Sequence, residues 1–393
     1  MDLSFGPEYD AYRETVRAFV ARHAGDAPRT MQAGRIGPAN LAWQRLLIEN
    51  GYVARTIPRE YGGAGEGSDL LKTRIIDEEF AAARMPGGLF NVGAAFLVPM
   101  LLELGTGEQK QRWIRPTIHG ETLWCEGFSE PDAGSDLASL KTHAVEDGDD
   151  FIVNGQKIWT SDAHNADMMF CLVRTEAGAP KHKSLSMLYF SMRTPGIEVR
   201  PLATMTGQSE FNEVFFTDVR VPKDQIVGAR GQGWEAANAT LKHERDSVGN
   251  PNSGGANAAM RLNQIAAILA GEIVDGQPQI DNALLRDRLV QLRSRAEALR
   301  CHGLRMLTAS ARRERKGAAG LIVKLVGCEL NHQIAALAID ALGEAGTLAD
   351  LSWQRRYMYA LGLIIGGGTA QIQKNIISER GLGMPREPKA RGT

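Results

Sequence analysis

The spacing of apolar residues changes twice along this chain, and that limits what it can fold into. Tyr12, Val16, Phe19 and Val20 recur at helical intervals, and the helical period persists to about residue 121. From about 122 to 230 the period shortens towards two, and from about 231 it becomes helical again almost to the end. A single doubly wound α/β layer would interleave strands and helices, whereas this order segregates them. The sequence therefore predicts a multidomain α and β protein: an N-terminal helical domain over 1–121, a middle antiparallel β domain of barrel or sandwich form over 122–230, and a C-terminal helical bundle over 231–393.

Turn residues refine the plan. Breaks fall at Gly37-Pro38, Pro58 to Gly65 and Pro86-Gly87-Gly88. Asp150 to Val153, a turn at Asn154-Gly155, and Gln156 to Thr160 read as a β-hairpin, because Asn-Gly suits turn positions with positive φ. Met168 to Val173, Ser184 to Phe190 and Glu213 to Val221 are further strands, the last closed by Pro222. A long helix begins near Gly233, and others cover about 283–314, 317–342, 349–363 and 370–380. The tail from Met384 reads as loose.

Composition removes several function classes. A net charge of -1 leaves no electrostatic footprint for nucleic acid. No apolar run approaches the roughly 18 residues of a membrane span, and the first ten residues have no signal-peptide h-region. The four cysteines, Cys125, Cys171, Cys301 and Cys328, show no C-x-x-C spacing, so reduced, buried thiols in a cytoplasmic protein are expected. The eight histidines show no metal-ligand spacing, and no Gly-x-Ser-x-Gly or Gly-x-Gly-x-x-Gly element is present.

Four features can carry chemistry. Trp234, Ala237, Leu241, Glu244 and Val248 lie at steps of three, four, three and four, on one helix face. A carboxylate in an apolar stripe has its pKa raised by burial, as a general base requires. The alternative is a structural Glu paired with Arg245. Gly366-Gly367-Gly368 precedes Thr369 and a helix, so backbone N–H groups there can approach a ligand; a plain turn capped by Thr369 is the alternative. Phe128 to Asp136 forms a turn-rich loop at the edge of the β region. Trp159-Thr160-Ser161 offers an aromatic beside hydroxyls to a planar cofactor, against the alternative of a buried core Trp.

Together these stretches resemble the acyl-CoA dehydrogenase family. Phe128-Ser-Glu-Pro-Asp-Ala-Gly-Ser-Asp136 is similar to its Thr/Ser-Glu-Pro-x-Ala-Gly-Ser-Asp signature, and Asn154-Gly-Gln-Lys-Ile-Trp-Thr-Ser161 to its Asn-Gly-x-Lys-x-Trp-x-Thr/Ser strand. Phe211 to Pro222, Gly368-Thr369-x-Gln371-Ile-Gln373, Pro58-x-x-Tyr-Gly-Gly and Thr106-Gly-Glu-Gln-Lys-Gln-Arg add matches in family order. The resemblance implies a C-terminal four-helix bundle and bound FAD. Phe128, Ser129, Trp159 and Ser161 would meet the flavin, Thr369 and Gln371 its phosphate or adenosine part, and Ser135 and Arg245 the substrate. Many members carry their base just before the Gly-Thr, where this chain has Gly367; others carry it before an Arg on the first bundle helix, which matches Glu244-Arg245. The implied reaction is α,β-dehydrogenation of an acyl-CoA thioester, with Glu244 as base, the Gly367 N–H at the thioester oxygen and an electron-transfer flavoprotein as acceptor, in a homo- or hetero-oligomer such as a homotetramer. An oxygen-using oxidase relative and a non-catalytic subunit of a heteromeric dehydrogenase are the competing readings.

The chain departs from the family twice. The Arg-x-x-Phe-Gly that reaches FAD in a neighbouring subunit aligns with Glu272-Ile-Val-Asp-Gly276, and Gln-x-x-Gly-Gly aligns with Asp340-Ala-Leu-Gly-Glu344. Divergent bacterial members acting on steroid or other bulky thioesters depart similarly.

Overall fold

A computed structural model describes residues 6–31, 36–248, 251–274, 276–311, 317–348 and 352–386, with side chains described outside 242–257 and 310–318. The chain divides into two compact units, Met1–Glu244 and Arg245–Thr393.

The first unit opens with helices α1 (Pro7–His23), α2 (Pro38–Glu49), α3 (Leu70–Ala82), α4 (Val98–Leu104) and α5 (Gly107–Ile118). The starts of α3 and α5 carry side-chain caps. The Asp69 carboxylate accepts from the Leu71 and Lys72 N–H groups, and Thr106 with Gln109 forms a capping box. Val16, Phe19, Trp43, Leu47, Ile75 and Phe80 of α1, α2 and α3 share one apolar cluster. Those residues recur at helical intervals, which is why the sequence exposed this domain.

The β region comprises β1 (Trp124–Gly127), β2 (His143–Asp147), β3 (Asp150–Ser161), β4 (Met168–Arg174), β5 (Leu185–Ser191), β6 (Ile197–Leu202), β7 (Phe211–Pro222) and β8 (Ile226–Val227). They form one sheet in the order β6-β7-β3-β2-β4-β5-β8, with β1 against β4. Most ladders are antiparallel, and β1 and β2 each meet β4 in parallel. On β4, Met168, Phe170 and Leu172 pack with α4 and α5, while Met169, Cys171 and Val173 pack on the opposite face. Burial on both faces explains the unbroken apolar run of this strand.

The hairpin expected at Asn154-Gly155 is not formed. β3 runs straight through it, paired to β7 on both sides of an irregularity between Val153 and Gly155. The extra residue lies on β7, where Asp218 takes φ 51; Gly155 has φ 147, and a Cβ there would lie 2.5 Å from Thr142 Oγ1, so glycine serves a close approach. The true reversal joins β2 to β3 at Gly148, φ 58, where Asp147 pairs with Asp150. Helix α6 (Gly233–Val248) follows the sheet. Its Ala236 and Ala237 are buried, with Trp234 and Leu241 packed beside them, in the cluster shared with α4, α5 and β4.

The second unit holds α7 (Pro251–Gly271), a short antiparallel pair β9 (Ile273–Val274) and β10 (Gln277–Pro278), α8 (Ala283–Ala311), α9 (Ile322–Ala341), α10 (Ser352–Ile365) and α11 (Ala370–Ile376). Helix α7 was not anticipated, because Ser253-Gly254-Gly255 near its start argues against a helix. Its Ala258, Leu262, Ile265 and Leu269 nevertheless build one core with Leu292, Ile334 and Trp353 from α8, α9 and α10, the four helices of a bundle. Ala319–Ala341, with mean hydropathy 1.3, is the one stretch among the described residues long and apolar enough to cross a membrane, against the expectation from sequence; its Ile334, Leu337 and Ala338 are buried in the bundle core. Cys125, Cys171 and Cys328 are buried as expected, but Cys301 is exposed on α8. Position 275 and residues 387–393 lie outside the described residues.

Candidate active site

In the first unit, Phe128 and Ser129 sit on the loop leaving β1 and are strapped to β3. The Ile158 N–H donates to Ser129 O at 2.9 Å, and Lys157 Nζ donates to Phe128 O at 3.0 Å. Lys157 is wholly buried and forms a 2.9 Å ion pair with Glu130, itself buried. The Glu130 carboxylate also accepts from the N–H groups of Lys141 at 2.6 Å and Thr142 at 2.9 Å. Burial pushes the Glu130 carboxyl up, but the Lys157 ammonium and those N–H donors outweigh it and hold it below the usual carboxylate range. The Phe128 ring is buried, edge-on to Phe170 at 6.0 Å.

Two residues further along β3 the ladder slips again, between Lys157 and Thr160. The extra residue puts Trp159 at φ 60, rare for a bulky side chain, and leaves it 57% exposed beside Phe211, 5.9 Å away at 81°. It is therefore not a buried core Trp. Asn212, fully buried, donates from Nδ2 to Thr160 O at 2.9 Å, so its Oδ1 faces His164 Nδ1 at 2.9 Å and that nitrogen carries the proton. Ser161 closes β3, half-buried. The hydroxyls of Ser129 and Ser161 have no partner among the described residues, and neither has that of Ser135 on the exposed stretch before Asp136.

Flavin needs an aromatic or apolar wall with hydrogen-bond donors at its edge. These residues meet that demand: an exposed indole fixed by a strained bulge, two unspent hydroxyls, and a loop whose carbonyls are turned away and tied down. No group of three or more His, Cys, Asp or Glu able to hold a metal occurs among the described residues.

In the second unit, Gly367 and Gly368 take φ 65 and 91 between α10 and α11. Gln373 Nε2 donates to Gly367 O at 3.1 Å, and the buried Lys324 donates to Gly368 O at 2.7 Å. The Gly367 N–H has no backbone acceptor among the described residues. Thr369 caps α11 by accepting from the Ile372 N–H at 3.2 Å, while Gln371 is exposed. The carboxylates replacing family residues, Glu272 and Glu344, are both exposed. Backbone is described at Glu244 and Arg245, one turn beyond Leu241 on α6, but their side chains lie outside the described residues.

Sequence reasoning assigned no role to Glu130, Lys157, Asn212, Lys324 or Gln373, although all but Lys324 lie within the motif stretches. Lys157 was within reach, since it shares inward parity with Phe151 and Val153 on β3. A charge at an inward position demands a partner.

Comparison with known proteins covers most of the chain. Residues 6–121, 125–219 and 231–382 match the N-terminal, middle and C-terminal domain models of acyl-CoA dehydrogenase. Acyl-CoA dehydrogenase IpdE1 of Mycobacterium tuberculosis is 38% identical over 355 residues, covering 88% of this chain and 89% of that protein. Among solved structures, the Tcur3481-Tcur3483 steroid ACAD superposes with a TM-score of 0.80 at 27% identity, covering 98% of this chain and 100% of the other. The ChsE4-ChsE5 complex from Mycobacterium tuberculosis gives 0.79 at 29% identity, with coverage of 98% and 100%.

Proposed function

The chain belongs to the acyl-CoA dehydrogenase family, and on that footing we propose that it uses FAD to convert a bulky acyl-CoA thioester into its trans-2-enoyl form, passing electrons to an electron-transfer flavoprotein. The observation that carries this reading is the rigid ledge of Phe128, Ser129, Trp159 and Ser161, with its exposed indole and unspent hydroxyls. A steroid side chain is the favoured acyl group, by likeness to the steroid ACAD above.

Bound FAD supplies the two-electron acceptor. The chain supplies the rest. Phe128, Ser129, Trp159 and Ser161 would hold the ring system, and the family resemblance assigns Thr369 and Gln371 to the phosphate or adenosine part of an FAD. Glu244, three residues beyond Leu241 in the sequence of α6, would be the base that takes the α proton. The Gly367 N–H donates to the thioester oxygen as negative charge gathers there. Ser135 and Arg245 contact the substrate.

A second reading concerns assembly. Exposed Glu272 and Asp340 stand where the family resemblance implies Arg and Gln, and exposed Glu344 where it implies Gly, and carboxylates repel a pyrophosphate. That favours a heteromer in which another subunit completes some cofactor contacts, by analogy with ChsE4 and ChsE5, which form a complex with one another.

The test is anaerobic mixing of the flavin-loaded protein, alone and with candidate partners, with a panel of acyl-CoA esters. Flavin absorbance should bleach with at least one bulky thioester and recover slowly in air. A protein that holds FAD yet is bleached by no thioester in any assembly would sink the proposal.

A further inference from the structure

We propose that the buried Lys157–Glu130 pair is a positioning device that sets the electron affinity of the flavin held over Phe128–Ser129; this rests on the flavin reading above. The pair is completely enclosed, with Lys157 at 0% and Glu130 at 7% exposure. Packing alone does not call for it, since apolar residues of similar volume often replace a buried ion pair without loss of stability. Its contacts point to a different use. Lys157 Nζ draws Phe128 O towards β3 at 3.0 Å, and the Ile158 N–H draws Ser129 O the same way at 2.9 Å. The peptide between Phe128 and Ser129 is trans, so the Ser129 N–H lies on the opposite edge of the peptide whose carbonyl Lys157 holds. That N–H has no backbone acceptor and the Ser129 hydroxyl has no partner among the described residues. Lys157 thus turns the Ser129 N–H away from the strand and, by sitting at the carbonyl end, polarises the peptide that supplies it.

Glu130 balances this cation. Its carboxylate is fixed by Lys141 N and Thr142 N, so it cannot follow Lys157 if the side chain shifts. The two charges therefore act on negative charge gained during flavin reduction with opposite signs. Neither residue needs to touch the cofactor for this effect, and both are positioning residues rather than catalytic ones.

The experiment measures the midpoint potential of bound FAD in the wild type, Glu130→Gln, Lys157→Met and the double variant, together with FAD dissociation constants. Glu130→Gln leaves the cation in excess and should raise the potential; Lys157→Met leaves the anion in excess and should lower it. Each shift should be about tenfold in the reduction equilibrium, which is roughly 30 mV for a two-electron couple. The double variant should return most of the way. Shifts of the same sign in both single variants, or none in flavin-loaded protein, overturn the proposal, because a merely structural role gives no sign reversal. If Lys157→Met does not fold, the near-isosteric Glu130→Gln decides alone: an upward shift supports the idea, and no shift or a downward one refutes it. A wild type that never binds FAD defeats the flavin reading itself, whereas normal FAD binding with unmoved potentials defeats only this inference.

Discussion

At position 367 the backbone occupies the left-handed region, φ 65, which glycine enters without strain. The residue that departs from the commoner family pattern thus fits its local conformation, and the mechanism proposed above gives proton removal to Glu244. Glu244→Gln should keep bound FAD and lose roughly 10²–10⁴-fold in kcat, the usual worth of general base catalysis; stopped-flow reduction by a good thioester measures it, and near wild-type rates would reject the assignment. Glu130 carries a separate prediction. Its folded pKa is held below the ordinary value, so its stabilising effect is complete above the unfolded pKa of ~4.3 and fades as pH falls through the lower folded value. Denaturant midpoints of wild type and Glu130→Gln should therefore differ by a constant amount near about pH 6 and converge as the pH falls through the lowered folded value.

Strand β3 shows how one element serves both core and site. Its first half alternates, with Phe151 and Val153 inward. The irregularity against β7 between Lys157 and Thr160 then resets the alternation and delivers Trp159 outward and Thr160 inward. Trp159→Gly should leave thermal stability of the FAD-free protein unchanged or raised, because a strained non-glycine φ costs about 1–3 kcal/mol. The same change should weaken FAD binding about tenfold or more through the lost ring contact, which equilibrium dialysis would measure. Periodicity revealed that this strand exists but not its bulges. Asn154-Gly155 has the chemistry of a tight turn, and only the approach of Thr142 shows that it is a kink. Likewise α7 was hidden by Ser253-Gly254-Gly255, although Ala258, Leu262, Ile265 and Leu269 keep a helical spacing. The Ser129, Trp159 and Gly367 segments were legible because their local chemistry is unusual. Lys324 and Gln373 were not, since only tertiary packing brings them to the carbonyls of Gly368 and Gly367.

The chain as a whole consists of two compact units with separate apolar clusters. Calorimetry of the FAD-free protein should accordingly depart from a single two-state transition, with unequal calorimetric and van't Hoff enthalpies; one sharp two-state transition would contradict this. Of the six tryptophans, Trp43, Trp124 and Trp353 are buried, Trp113 and Trp234 are half-buried, and Trp159 alone is exposed. The protein is thus built with its own optical gauge. Emission from five indoles forms a steady background, while the sixth, in contact with water when the ledge is bare, should dim and change colour as a yellow, light-absorbing ring covers it, so that occupancy can be followed by fluorescence without any added dye.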